Sequence, residues 1–387
     1  LLMIKLTAKN KLVAGFSLAV AAVLASGATG TVAWFTANRN VALNYSKVSV
    51  TSVTNNLQIG YTPLQNAVGS DIELAAGEIS ATGSVSITDV SSIDGSELYR
   101  PLWTNNYFKM VEVDYDKDYS DETGFEYPFF STFKLEVKNG GKATTNLFLD
   151  GAQCYIRDND TDNLKVSDFA RVSISKALDT DPGTPDDFVA KEDQQLVFMD
   201  TDAVKSGSDE GKYADDTVTG ERVLKLTDAI EYSDITDNKF EVVKATGETI
   251  DPQWIDRVLI NGAEISDSKY KKEYDSYYGK WSISLVGVTC EADDQIQVEY
   301  SYIKYDTGHE LIDATEGTDY YRSVSTDLKI TATSDTTSAN YFCELAYNES
   351  AYFIVTIWFE GTELAIQNSY IGQAFDLRIA FAGQDID

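Results

Sequence analysis

Hydrophobic and polar residues alternate along much of the chain, and a period of two predicts β-strands with one buried face. The alternation is clearest in four runs, at 133–138, 170–174, 281–285 and 296–302. Residues 351–359 (AYFIVTIWF) are continuously apolar instead, which predicts a central strand covered on both faces. No helical periodicity of convincing length follows residue 33. The pattern therefore predicts an all-β chain built from antiparallel sheets.

The same alternation marks the stretch from Val41 to Val50, but its parity slips by one residue. Val41, Leu43 and Tyr45 alternate with polar or small residues, and Val48 and Val50 then follow on the opposite parity. A slip of one residue moves every later side chain to the other face unless a bulge intervenes. The sequence therefore predicts two consecutive strand segments rather than one long strand.

Residues 1–33 have the composition of an export signal. An almost wholly apolar run, 12–24, follows a basic segment and leads to small residues. We expect cleavage after Ala33, directly before Trp34. If it is not cleaved, residues 12–33 form a transmembrane helix, the one membrane contact we expect. The protein is thus expected outside the cell or at its surface. The basic residues are Lys5, Lys9 and Lys11.

The spacing of strands and turns predicts an insertion within a larger sandwich. Residues 239–305 contain four or five short strand patterns and an Asn261-Gly262 turn, typical of a small immunoglobulin-like domain. Strand patterns that belong to the larger sandwich resume after residue 305. The predicted organisation is a sandwich from 34–238 closed by strands in 306–387, with the module of 239–305 inserted.

Composition narrows the possible partners. Hydrophobic residues make up 43% of the 387-residue chain, enough for a core, and the net charge is −31. A polyanion repels nucleic acid and anionic lipid, so neither is an expected partner. Three cysteines are too few for a disulfide framework. Cys154 and Cys343 lie in strand patterns and are expected to be buried, whereas the state of Cys290 is left open.

Alternating aspartates suggest a calcium site. Carboxylates at a DxDxD spacing can converge on a hard cation, and Asp114, Asp116 and Asp118 form the preferred cluster. Neither this cluster nor a second one further along the chain completes an EF-hand loop. On a plain strand such aspartates would simply share a solvent-exposed face. Ca²⁺ is therefore a possible rather than a required ligand. A second cluster is Asp158, Asp160 and Asp162.

The sequence offers little to an enzyme. The single histidine, His309, lies in a polar run and is expected to be an exposed loop residue. No HExxH, GxSxG or glycine-rich phosphate loop occurs. We therefore expect a structural protein rather than a catalyst.

Several sequence blocks resemble the TasA/camelysin family of secreted proteins. The signal runs directly into AWFTANR, and NNLQIGYTP at 55–63, ARVSIS at 170–175 and VTIWFEGTE at 355–363 occur in the family's order. FKLEVKNGGKATTNLFLD at 133–150 and the closing strand at 374–382 complete the resemblance. It implies a jelly-roll sandwich, export, and assembly into biofilm matrix fibres in which the N-terminal segment of one subunit completes the sheet of the next.

An exposed sheet edge can be completed by an extended segment from another copy. The predicted donor side chains are Val41, Leu43, Tyr45, Val48 and Val50. One alternative is that this strand pairs within its own subunit. Another is a monomeric surface adhesin whose exposed tyrosines and tryptophans in the inserted module bind cell-wall or matrix polysaccharide.

Overall fold

A computed structural model describes the chain over several ranges. They are 43–52, 54, 56–114, 128–158, 167, 170–177, 195–199, 212–275, 280–313, 321–323, 336–338, 340–361 and 374–386. Within these ranges the protein is all-β, with 24 strands, numbered β1 to β24 along the chain, and no α-helix. Two short 3-10 turns lie at Tyr232–Asp234 and Asp267–Lys269.

The larger of two units packs a six-stranded sheet against a seven-stranded sheet. The first sheet contains β1 (Leu43–Ser52), β4 (Ile79–Ile87), β8 (Thr144–Leu149), β9 (Tyr155–Asp158), β22 (Tyr341–Leu345) and β24 (Ala374–Ile386). The second sheet contains β2 (Leu57–Gln65), β3 (Ile72–Ala76), β7 (Ser131–Asn139), β10 (Ala170–Lys176), β11 (Gln195–Met199), β21 (Tyr321–Ser323) and β23 (Ser350–Phe359).

Alternate side chains of these two sheets meet in one core, as the period of two predicts. Val137 of β7, Ile174 of β10 and Leu377 of β24 are each fully buried in it. Strand β23 lies between β10 and β7 and is buried on both faces over most of its length, which confirms the prediction for 351–359. The predicted burial of Cys154 and Cys343 is also confirmed, and Cys290 is buried as well.

The second unit is larger than the predicted insertion. A six-stranded sheet faces a three-stranded sheet across a separate apolar core. Strand β13 lies before residue 239 but pairs with β19 of the module, and the β5–β6 hairpin extends the same sheet through β13. The strand pairing therefore places the boundary outside 239–305 on the N-terminal side. The six-stranded sheet contains β5 (Tyr99–Thr104), β6 (Tyr107–Glu112), β13 (Thr219–Leu226), β15 (Trp254–Ile260), β16 (Ala263–Glu264) and β19 (Ile296–Tyr305).

The remaining strands complete this second unit. A two-stranded pair flanks the larger sheet near Ile303 and Tyr305, in a small apolar cluster with Phe108 and Met110. The three-stranded sheet presents Trp281 and Ile283 to the core of the unit. The strands of the three-stranded sheet are β14 (Lys239–Glu241), β17 (Tyr270–Asp275) and β18 (Lys280–Leu285), and those of the pair are β12 (Lys212–Tyr213) and β20 (Ile312–Asp313).

Residues 88–92, here called the joint, connect the two units. Val90 makes two backbone hydrogen bonds at the end of β23. Its N–H donates to Phe359 O at 3.0 Å, and its carbonyl oxygen accepts from Gly361 N at 2.8 Å. The neighbouring Ser91 accepts a 2.7 Å hydrogen bond from the amide of Ala214, in the second unit. The joint thus docks on the larger unit and carries a direct contact to the smaller one.

Buried charge lies beneath the joint. Glu360 and Arg171 are fully buried, and Glu360 accepts hydrogen bonds from Ser92 N at 3.3 Å and Trp358 Nε1 at 3.4 Å. Burial raises the pKa of Glu360, and the Arg171 guanidinium opposes that rise. Burial also raises the pKa of Asp89 from 3.8 to about 6, and the nearby Glu360 carboxylate contributes in the same direction.

We predict that Asp89→Asn weakens the pH dependence of stability. A carboxyl whose folded pKa is raised destabilises the folded state as pH increases from its unfolded pKa to its folded pKa, here between about 4 and 6. The natural protein should lose about 1–3 kcal/mol of unfolding free energy across this window, since partial exposure reduces the full effect.

Urea unfolding at pH 4.5 and pH 7 measures this difference. Asp71→Asn, which changes an exposed carboxylate of the same unit, is the control and should leave the difference unchanged. An equal loss of stability in Asp89→Asn and in the natural protein would contradict the prediction.

Candidate polymer contact

Strand β1 lies inside the first sheet of its own subunit. It pairs in parallel with β24, as at Val48 with Leu377, and antiparallel with β4, as at Val48 with Ala81. The strands β4 and β24 are each neighbours of β1 and are not neighbours of one another. The segment at this position therefore joins the edge strand β4 to the rest of the sheet.

The parity slip in the sequence corresponds to a bulge. Strand β1 runs continuously from Leu43 to Ser52, and its register with both neighbours shifts between Tyr45 and Lys47. The prediction of two separate segments is therefore wrong. The bulge restores the inward direction, so that Tyr45, Val48 and Val50 all enter the core with 0–1% exposure.

Tyr45 fixes β1 to the opposite sheet. Its hydroxyl makes a short hydrogen bond with Ser131 Oγ of β7, donates to Asn66 O at 3.2 Å and accepts from Val68 N at 3.2 Å. Burial raises the pKa of Tyr45 to about 12, so the phenol stays protonated at physiological pH. The polar end of a buried aromatic side chain is thus fully used within one subunit.

The connection from β1 to β2 is held by specific hydrogen bonds. Gly383 N donates to Thr54 Oγ1 at 3.1 Å, and Gly140 N donates to Asn56 O at 2.7 Å. Asn56 Nδ2 also contacts the Asp385 carboxylate at 3.2 Å. Moving β1 into another subunit would break these contacts as well as the buried contacts of Tyr45. Thr54 and Asn56 therefore tie this connection to β24 and to the turn after β7.

These contacts change the expectation for the donor residues. The expected gap in the sheet is not seen among the described residues, because β1 of the same chain occupies the position. Leu43 begins that strand, and Tyr45, Val48 and Val50 belong to their own core. Val41 lies outside the described residues, as do Ala33 and Trp34. Among the described residues, no helix is long and apolar enough to cross a membrane.

The predicted calcium ligands are not brought together in the described part of the chain. Asp114 is exposed at the end of a described range, and Asp116 and Asp118 lie outside it. In the second cluster Asp158 accepts hydrogen bonds from Ser167 N at 2.9 Å and Ser167 Oγ at 2.7 Å, while Asp160 and Asp162 are not described. No group of three metal-ligating side chains occurs among the described residues.

His309 is exposed, as predicted. Its Nδ1 lies 2.6 Å from Thr217 O in a loop that follows β19. Hydrogen bonds from Tyr107 and Thr219 lower the pKa of the neighbouring Asp306 carboxyl, and the His309 ring contributes in the same direction. The environment of this histidine is a polar loop surface.

The aromatic side chains that could form a carbohydrate platform in the module are mostly internal. Tyr300 and Trp281 have 0% and 2% exposure, and Tyr270 and Tyr302 have 5% each. A groove does run across β14 and β18. Trp281 is among its lining residues but is itself buried, and most of the other lining side chains are charged or carry hydroxyl groups. The described aromatic residues therefore give the adhesin alternative little support. Among the described residues from 219 to 305, one aromatic side chain is exposed, that of Tyr232 at 50% exposure.

The chain was compared with protein-family models, curated proteins and solved structures. No protein-family model matches the chain, and neither the curated proteins nor the solved structures include a match.

We predict that Tyr45→Phe destabilises the isolated subunit by about 1–3 kcal/mol, because Ser131 Oγ and Val68 N would keep their buried positions without this partner. Urea unfolding of monomeric protein measures the loss. Tyr347→Phe, at a side chain with 64% exposure, is the matched control and should be nearly neutral. Equal stability of Tyr45→Phe and the natural protein would show that β1 is not held in its own core as described.

Proposed function

We propose that the protein is a structural, non-catalytic subunit of an extracellular fibre, and that its N-terminal segment joins one copy to the next. The observation that carries the proposal is the interior position of β1. Because β1 is held between β4 and β24 in its own sheet, the segment proposed to join the copies is the chain that precedes Leu43.

The segment 34–42, here called the arm, has the properties of a donated strand. It contains the apolar residues Trp34, Phe35 and Val41. Fully extended, nine residues span about 30 Å. An extended peptide can add to a neighbour through main-chain hydrogen bonds, with apolar side chains filling pockets. The donor role predicted for residues 41–50 is therefore proposed for the arm, with Val41 as the shared residue.

An arm at one end and an acceptor at another make a head-to-tail contact, which generates an open filament when the rotation does not close. The net charge of −31 opposes this assembly, since neighbouring subunits repel. Salt screens such repulsion over about 10 Å at 0.1 M. We therefore propose that fibre formation requires moderate ionic strength or a cation, a role in which Ca²⁺ could act without a dedicated site.

The finer architecture belongs to the same proposal. Two facing sheets, with the first described strand beside the last, support a jelly-roll-like sandwich for the larger unit. The facing six- and three-stranded sheets of the smaller unit support an immunoglobulin-like module. We propose that this module projects from the fibre. The resemblance of the sequence blocks to the TasA/camelysin family supports secretion into a biofilm matrix.

Deletion of residues 34–42 from protein that begins at Trp34 should abolish filaments. It should leave the fold intact, since β1 begins at Leu43. Negative-stain microscopy and sedimentation measure filaments, and thermal unfolding of the monomer is the control for folding.

A synthetic arm peptide in excess should terminate growth of the natural protein, while a scrambled peptide of the same composition should not. Filaments of normal length from the deletion variant would exclude the arm as the joining segment. A persistent monomer of the undeleted protein across salt and Ca²⁺ concentrations would exclude the fibre itself.

A further inference from the structure

The joint is attached to both units by specific hydrogen bonds. On the larger unit, Val90 lies in a parallel bridge with Glu360, at the end of β23. Towards the smaller unit, Ser91 exchanges two backbone hydrogen bonds of 2.8 Å with Tyr99, the first residue of β5. Ser91 Oγ also accepts the hydrogen bond from Ala214 N at 2.7 Å. A displacement of Val90 from β23 would therefore change how its neighbour Ser91 holds the smaller unit.

Asp89 lies inside the joint, directly before Val90. Its side chain is half-buried and packs against Gly361, where an added Cβ atom would lie 3.0 Å from Asp89 Oδ2. Thr88 Oγ1 donates a hydrogen bond to Asp89 Oδ1 at 3.3 Å. Among the described residues, no cationic side chain pairs with this carboxyl group. The closed joint therefore accommodates the neutral form of Asp89 better than the charged form.

The charges around the joint act in the same direction. The Glu360 carboxylate, at the end of β23, repels a negative charge on Asp89. Arg171 of β10 acts on Glu360 instead. Arg100 of β5 lies over an aromatic ring, and Asp94 accepts hydrogen bonds from its own turn. Burial, with a contribution from Glu360, raises the pKa of Asp89 to about 6, so this group ionises between mild acid and neutral pH.

We propose that the joint is a pH-sensitive hinge between the two units. In mild acid, Asp89 is protonated and the joint stays closed on β23. At neutral pH the ionised carboxylate destabilises the closed joint, which then opens more often and lets the smaller unit move. A carboxyl that is harder to ionise in the closed joint shifts the equilibrium towards the open joint as pH rises. The hinge lies within one subunit and does not depend on the proposed fibre.

Hydrogen exchange measures the opening of the joint. The amides of Val90 and Gly361 form hydrogen bonds between the joint and β23, and the hydrogen-bonded amides of Leu149 and Asp150 in the same unit are the internal control. Exchange is measured at pH 4.5 and pH 7 and corrected for its intrinsic dependence on pH. Protection of the joint amides should fall about tenfold or more at pH 7 relative to the control amides.

Two variants separate Asp89 from the other carboxylates. Asp89→Asn keeps the shape of the side chain without its charge, so the relative protection of the joint should be equal at the two pH values. Asp71→Asn, at an exposed carboxylate of the same unit, should behave as the natural protein does. Equal losses at the joint and control amides, or the same loss in Asp89→Asn as in the natural protein, would overturn the role of Asp89.

Pulsed EPR tests the hinge with Asp89 left in place. Spin labels are attached at Lys142→Cys in the larger unit and Lys271→Cys in the smaller unit, both exposed positions. The natural cysteines are buried at 7–8% exposure and should label slowly. We expect a narrow distribution of distances between the labels at pH 4.5 and a broader one at pH 7. Equal distributions at both pH values would overturn the hinge, even with faster exchange at the joint.

Discussion

The pairing of the first described strand with the last is the constraint on which the larger unit depends. Strand β1 is hydrogen-bonded to β24 on one side and to β4 on the other, so removing it would separate the sheet into two parts. The contact joins residues far apart in sequence, as between Ser46 Oγ and the Asp376 carboxylate at 2.9 Å. Such non-local pairing is costly in loop entropy, and the buried side chains of β1 offset that cost.

The joint between the two units is built differently, around buried charge. Glu360 follows directly on the apolar strand β23, and Arg171 lies in β10, next to it in the same sheet. Gly95, at a positive φ of 79°, packs so closely on Ser173 and Trp358 that a Cβ atom would lie 2.7–2.8 Å from them. Close backbone approach of this kind covers the charges with the 88–98 segment. The 88–98 segment is thereby packed onto the larger unit, with Val90 and Leu98 in one apolar cluster with Trp358.

The sequence predicted much of the fold because its strands alternate cleanly. Phe133 to Val137 and the continuous run through Trp358 were placed correctly, since period and apolar length report burial directly. The sequence predicted two segments where β1 is one strand, because a bulge and a break between strands produce the same shift in the alternation of side chains. The extent of the second unit was not predicted because β13 pairs with β19, and β6 of the β5–β6 hairpin pairs with β13, from distant positions in the chain. Pairing between distant strands has no local signal.

The candidate contact was only partly accessible from sequence. The five donor residues stand out by alternation, but alternation cannot tell a strand that fills its own sheet from one that fills a neighbour's. The hydrogen bonds of Tyr45, Thr54 and Asn56 make that distinction for β1.

The central claim is that β1 stays in its own sheet while the arm before it joins the copies. A disulfide between Ser49→Cys and Ser80→Cys tests this most directly, since the two serines face one another across β1 and β4 with their Oγ atoms 3.2 Å apart. Directly opposed residues of antiparallel strands lie within the Cα separation that a disulfide accepts. With β1 locked in this way, filaments should form as well as they do after reduction. Filaments that appear only after reduction would show that β1 itself leaves its subunit, and would contradict the account.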